Sequence, residues 1–445
     1  MGLEILAVSS QLFPEAMQIF LDKHEGSADI KSCFKDGEVK SALEILIKFL
    51  VAPNNISNSV KARALSCIKL LTRARTELEI LLEETNLSII LDLALELPED
   101  NIDFSANSVI NQAVRVVINL CIIHQSGTLP VLHRQRCHVV LLSLLSRIPL
   151  GEATDETLFS LARLLFYMSL DTDVQAQLRG ELDALPIFAA ILVNRNRACS
   201  PGQVASLRLN SNSATLCMAL SEVIHVMFAV GSSPNSGSPQ MWQMLTGTLL
   251  ELLMSDNVDI LELKASAVLE LIKSPYYSLM LDIVNLLFCF NKDSLVPLME
   301  KQVMRRIFSL LEIQARYNCQ SVESALVPIL TVTETICSLN PEVAKAAKVF
   351  VFGEEFANNK SLKYEFESGD TTLSVAANGE VPPPLCKILT RMITTFEPNL
   401  KRAVSQFLYT LCEKRSDEYI RVVGLGNAMG LLSELQLPGY QVPLQ

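Results

Sequence analysis

Apolar residues along this chain recur at three- and four-residue spacing rather than in alternation. Leu65, Ile68, Leu71 and Leu78 fall near one face of the segment 60–84, which is the period of a helix with one buried side. The segments 106–124, 156–169, 213–230, 277–290, 328–338 and 398–413 are likewise apolar over helical lengths. Pro328 and Pro398 predict first-turn positions, where the missing N–H has no intrahelical partner to lose. Turn clusters separate these segments: Pro53-Asn54-Asn55, Pro98-Glu99-Asp100, Gly231 to Pro239 and Asn340-Pro341. Strand signals are sparse. Aromatic residues make up 6% of the sequence, and Asp36-Gly37 and Asn378-Gly379 are the only Asp-Gly or Asn-Gly pairs that would favour a tight hairpin.

The helical segments echo one another. A bulky turn with a different residue at its centre reads Cys67-Ile68-Lys69-Leu70-Leu71, then Val117-Ile118-Asn119-Leu120-Cys121, then Leu161-Ala162-Arg163-Leu164-Leu165. It returns around His225 and Asn285, and more weakly around Glu334 and Tyr409. Successive copies lie roughly 44 to 75 residues apart, and the shorter intervals match armadillo or HEAT units of about 40–47 residues. A helix pair of this kind buries its apolar face only against its neighbours. The expected fold is therefore all-α, an armadillo/HEAT-like α-solenoid forming one domain over 1–445. Insertions are expected at 198–213 and 231–240. A long acidic loop at about 352–384 carries Glu354, Glu355, Glu365, Glu367 and Asp370.

Composition narrows the function classes. Hydrophobic residues are 49% of the chain, ample for a large core, and 37 basic against 48 acidic side chains give a net charge of −11. That balance opposes a general nucleic-acid or anionic-membrane binder, which needs a basic surface. Eleven cysteines are scattered singly, and several sit inside apolar helices, as buried reduced thiols do. Met1-Gly2-Leu3-Glu4 lacks the basic start of a signal peptide, and Leu6 stands where myristoylation requires Ser or Thr. Glu222 and Asp282 interrupt the two most apolar stretches. The expectation is a soluble, cytoplasmic protein.

No motif for bond chemistry is present. The chain has no Gly-Lys-Ser/Thr, no His-Glu-x-x-His and no Gly-x-Ser-x-Gly. His133, Cys137 and His138 cluster, but a structural zinc site needs four ligands, so a partly exposed histidine beside a core cysteine is expected. Gly424-Leu425-Gly426-Asn427-Ala428-Met429-Gly430 is one residue too long for a dinucleotide loop and has too little chain after it. It reads as a tight turn before the last helix, with glycines that allow close packing. No enzyme activity, cofactor or metal is expected.

Basic residues carry more information. Lys61, Arg63, Lys69, Arg73 and Arg75 occur with no acid between Glu44 and Glu77. Lys69 and Arg73 are i,i+4 and project from one helix face. Arg115 and Asn119 repeat the spacing, and Arg163 follows in the third helix. Lys69, Asn119 and Arg163 hold the same place in the repeat, and equivalent positions on successive repeats line one surface. Two readings stay open on these residues: a ladder that holds an acidic or carboxylate-ended peptide, or a solvated helix face.

At these segments the sequence resembles the synembryn family of G-protein α-subunit exchange factors and chaperones. Lys69-Leu70-Leu71-Thr72-Arg73 stands where the family has R-I-L-S-R. Ala162-Arg163-Leu164-Leu165-Phe166 with Asp173-Val174 is close to its L-R-L-L-F and later D-V. Leu400-Lys401-Arg402 with Phe407-Leu408-Tyr409-Thr410-Leu411-Cys412 is similar to a third segment. Gly424-Leu425-Gly426-Asn427-Ala428-Met429-Gly430-Leu431-Leu432 resembles G-Y-G-N-A-A-G-L-L, the most specific of the four. The resemblance implies an armadillo/HEAT-like protein that binds the nucleotide-free G-protein α subunit and captures its C-terminal helix, reaching the cell cortex through that partner. By position the capture falls on Lys69, Arg73, Arg115, Asn119 and Arg163. The sequence departs from the pattern in having Lys69 where Arg is usual, which keeps charge but not bidentate geometry, and in its long acidic loop. It also has little chain after Leu432, where members continue with an acidic, phosphorylatable segment and another helix. That departure is expected to bear on exchange and chaperoning more than on binding. The competing reading is an armadillo-type scaffold for another acidic peptide.

Overall fold

The computed structural model describes residues 13–26, 30–52, 56–95, 102–151, 154–198, 211–232, 238–255, 260–317, 322–353 and 384–435. The acidic loop expected at 352–384 lies outside these residues except at its ends, as do most of the insertions at 198–213 and 231–240. Among the described residues every regular element is helical, and the fold is all-α and armadillo/HEAT-like. By their contacts the described residues form two compact units, one within 13–198 and 211–232 and the other within 238–435.

In the first unit the helices follow a three-helix rhythm. Helices α1 (Phe13–His24), α2 (Glu38–Val51) and α3 (Asn58–Thr72) come first. They are followed by α4 (Glu79–Leu82), α5 (Glu84–Leu95) and α6 (Val109–Ile123), then α7 (Gln125–Arg134), α8 (Cys137–Arg147) and α9 (Asp155–Met168). The unit closes with α10 (Thr172–Arg179), α11 (Ala184–Ala198) and α12 (Ser211–Gly231). Two rows result. Helices α3, α6, α9 and α12 pack in succession, and α2, α5, α8 and α11 pack in succession behind them. The front row is apolar on most sides because it is covered on most sides. In α6, Ile110, Val114, Val117, Leu120 and Cys121 are buried, and so are Ala113, Val116 and Ile118. Ser108 starts this helix, its hydroxyl accepting the N–H of Asn111 at 3.2 Å.

Three sequence expectations are corrected. The segment 60–84 is not one helix: α3 stops at Thr72, and Arg75 and Glu77 take left-handed φ of 55° and 59°. The break is held from a distance. The Glu77 carboxylate accepts the N–H groups of Gly37 at 2.6 Å and Lys40 at 2.9 Å, capping the start of α2. Those two bonds hold its carboxyl below the usual range. Pro328 lies inside a helix, Val322–Leu339, rather than in its first turn. Burial of Leu326, Ile329 and Leu330 on that helix outweighs a local penalty of about 3 kcal/mol. Pro398 does open its helix. Finally, Gly424 makes the expected turn with φ 79°, but a Cβ at Gly426 or Gly430 would meet no neighbour within 4 Å. Close packing is therefore not what those two glycines provide.

The second unit repeats the two-row plan on its own. The helices 275–287, 322–339, 398–411 and 425–434 pack in succession, and 239–253, 301–317 and 385–392 form the other row. Ser274 and Ser238 cap their helices, each followed by proline at the first helical position. A buried carboxylate, Glu418, ties 416–423 to 341–352 through Lys348 at 2.7 Å and is also paired with Arg415.

One helical window, Ala214–Gly231 in α12, is long and apolar enough to cross a membrane, and 67% of it is buried against neighbouring helices. The nine described cysteines are free thiols. Burial pushes Cys67, Cys121, Cys137, Cys337, Cys386 and Cys412 up to about 12, which removes the reactive thiolate at neutral pH. A maleimide applied to the native protein will label exposed Cys33 well ahead of those six. Peptide mass spectrometry of a labelling time course checks this, and equal labelling of Cys67 and Cys33 would contradict the packing described.

Candidate functional site

The front row brings Lys69, Arg73, Arg115, Asn119 and Arg163 onto one cavity of about 610 Å3 in the first unit. Helices α3, α6 and α9 supply the residues in turn because each repeat presents its equivalent position to the same side. The lining also holds Thr72, Arg75, Phe159, Ser160, Ile118, Ile122 and Ile123. Among the described residues five cations line it and no carboxylate does. Apolar Ile122 and Phe159 give the groove an amphipathic floor.

The cations differ in how they are held. Lys69 does not face open solvent; it is half-buried, and its Nζ donates to Gln112 Oε1 at 2.8 Å. Gln112 is buried and fixed in turn, its amide donating to the Ala106 carbonyl at 2.9 Å. Burial, together with the charges of Arg115 and Arg73, lowers the Lys69 ammonium to about 8. Arg115 is braced by Glu156 at 2.8 Å and by Ser160 at 3.3 Å. Arg163 sits 5.3 Å above the Phe159 ring and 3.5 Å from Glu222. Arg73, just past the end of α3, is exposed and donates to the Glu25 carbonyl at 3.3 Å. Asn119 has a different job. Its amide donates to Thr72 Oγ1 at 2.8 Å and to the Lys69 carbonyl at 3.4 Å, closing the C-terminal turn of α3.

A second cavity of about 630 Å3 adjoins the first and shares Lys69, Arg73 and Arg115 with it. Its far wall is Gln18 and Leu21 of α1 and Glu25 just past its end, with Arg63 of α3, and Glu156 of α9 also lines it. The three shared cations thus stand between two halves of one groove.

Sequence reasoning missed Arg75, Phe159 and Ser160. Arg75 was legible in the basic run, but its place on the groove depends on the left-handed turn after α3. Glu222 was legible only as a charge interrupting an apolar helix. It is 8% exposed and partners both Arg163 and, at 3.5 Å, His225. Of the other singled-out residues, His133 lies 3.8 Å from Asp171, Cys137 is buried, and His138 is buried against Gln177 at 2.8 Å. Burial lowers the His138 imidazole from its ordinary value. Among the described residues no cluster of three or more metal-ligating side chains occurs.

Stacked helical repeats carrying a cationic, apolar-floored groove define a helical-repeat protein. The chain belongs to the synembryn family: the family described as guanine nucleotide exchange factor synembryn matches residues 64–443. That family acts on G-protein α subunits as a guanine nucleotide exchange factor. No curated protein matches the chain individually. Among solved structures, UNC-45 from Drosophila melanogaster is similar over 99% of this chain and 48% of its own, with TM-score 0.48 and 11% identity. An engineered protein from a structural genomics consortium is similar over 98% of this chain and 84% of its own, with TM-score 0.41 and 13% identity. A chain from work on a phosphorylation switch between cadherin and β-catenin gives TM-score 0.36, 14% identity, and coverage of 99% and 96%.

Proposed function

We propose that this chain binds the nucleotide-free G-protein α subunit, holding the carboxylate-bearing end of its C-terminal helix in the groove of the first unit, and that it promotes nucleotide exchange and folding of that subunit. The observation that carries this reading is the lining of the first cavity: Lys69, Arg73, Arg75, Arg115 and Arg163 with no acid among its described residues, Glu25 and Glu156 lining only the adjoining half, in a chain of net charge −11. Charge-assisted bonds from guanidinium and ammonium groups suit a terminal or side-chain carboxylate. Ile122 and Phe159 suit the apolar face of a short helix. A partner that binds the nucleotide-free state best draws the equilibrium toward it, so bound nucleotide leaves more readily. The same preference stabilises a folded α subunit that has not yet taken up nucleotide. No bond chemistry is needed for either effect.

A pull-down with α subunits prepared nucleotide-free and GTP-loaded tests the reading, with preferential capture of the nucleotide-free form expected. Failure to capture either form, with an unrelated acidic peptide still held, would point to a general scaffold instead.

Binding should also depend on pH. In the free protein Lys69 sits near 8, and a bound carboxylate raises that value. The complex then holds more protons than the separated partners above about pH 8, so affinity falls as pH rises through that range. Titration calorimetry at about pH 7 and about pH 9 checks the sign. Tighter binding at the higher pH would show that Lys69 does not meet the ligand.

A further inference from the structure

We propose that the groove formed by α3, α6 and α9 is also a site for a small, multiply phosphorylated anion, whose occupation excludes the partner's carboxylate. The exclusion rests on the function proposed above, whereas the anion site itself does not.

Arg115 is neutralised by Glu156 at 2.8 Å and Arg163 is paired with Glu222 at 3.5 Å. Among the described residues none of Lys69, Arg73 and Arg75 forms an ion pair, although the charges of Glu25 and Glu156 reach Lys69. Lys69 bonds a neutral amide, Arg73 a backbone carbonyl. Three cations without an ion-pair partner therefore stand on one cavity. One carboxylate answers only one of them, while a ligand carrying two or more phosphates answers all three. The free state points the same way, since burial first, and then the charges of Arg115 and Arg73, lower the Lys69 ammonium. A dense anion relieves that repulsion more fully than a single carboxylate.

Geometry agrees. Lys69 is not a loose surface lysine, because the 2%-exposed Gln112 amide aims it and is itself locked on the Ala106 carbonyl. Arg115 is fixed by two side chains of α9. Four of the five cations are arginines, whose planar forks match phosphate oxygens two at a time. The cavity of about 610 Å3 lies within the usual range of small-ligand sites. A long nucleic acid would instead need basic surface well beyond this groove, against the overall charge of −11.

Two sources share this chemistry, a free polyphosphate such as an inositol polyphosphate and the phosphorylated headgroup of a lipid. The experiment separates them. The full chain is titrated by calorimetry with inositol hexakisphosphate and with sulfate at about 0.15 M salt, and is floated with vesicles with and without phosphatidylinositol bisphosphate. Inositol hexakisphosphate should bind in one-to-one stoichiometry and at least about tenfold more tightly than sulfate. The Arg73→Gln, Arg75→Gln double variant should lose at least about tenfold in affinity, with an unchanged circular dichroism spectrum because both residues are exposed. Binding in solution without flotation assigns the free polyphosphate, and flotation only with the phosphorylated lipid assigns the headgroup. Either supports the site. Absence of heat and flotation, binding no tighter than sulfate, or equal binding by the variant overturns it. In a separate arm, inositol hexakisphosphate should displace a captured α subunit. If the anion binds but the subunit is never captured, the partner reading fails and the anion site stands.

Discussion

Replacing Arg195 by leucine lowers the stability of the first unit by about 3–5 kcal/mol, the cost of leaving a buried charge without its partner. Arg195 and Asp155 are 5% and 4% exposed at their side chains and meet at 2.8 Å. The same guanidinium donates to the Gly151 carbonyl at 2.9 Å, the Pro149 carbonyl at 2.8 Å and Thr154 Oγ1 at 2.9 Å. It thereby ties α11 to the turn that starts α9, and α9 carries Arg163, Phe159 and Ser160 into the groove. Leucine fills part of the volume but leaves the Asp155 carboxylate and the two carbonyls short of donors. Urea denaturation followed by circular dichroism reads the loss. The Asp155→Leu, Arg195→Leu double variant should recover much of it, since replacing both partners removes the unpaired charge. A single variant as stable as wild type would mean that the pair does not hold α9.

Reversing charge in the groove has the second large effect. The Lys69→Glu, Arg73→Glu double variant should lose about 2–5 kcal/mol of α-subunit binding, and wild-type binding should weaken as salt rises. Lys69 is half-buried on Gln112, so its replacement also disturbs packing. The exposed Arg73→Glu single variant is the cleaner probe and should fall at the low end of the range. Both are read by calorimetry alongside a thermal melt. A folded double variant that binds as tightly as wild type would place the α subunit elsewhere on the chain.

How far the site could be read in advance varies residue by residue. Lys69, Asn119 and Arg163 were placed together from their shared position in a repeated turn, and they do line one cavity. Their roles were less visible. Asn119 turns its amide back onto the end of α3, and Lys69 is aimed by Gln112, whose own orientation depends on the Ala106 carbonyl. Arg115 and Arg163 read as plain cations in sequence, yet each is answered by a carboxylate more than 40 residues away, Glu156 and Glu222.

The sequence alone determined the helical class, the apolar stripes and the repeat that sets equivalent residues side by side. Each of those depends on spacings of three or four residues, or on a pattern copied along the chain, and both are local. Tertiary structure decided where the helices stop and which charges remain free. Glu77 ends the segment after α3 by capping α2 through Gly37 and Lys40, and Arg195 reaches Asp155 only when α11 lies against the start of α9. Pairing between charges distant in sequence is a property of packed helices. Only after Glu156 and Glu222 have taken their arginines are Lys69, Arg73 and Arg75 left without an ion pair on the first cavity.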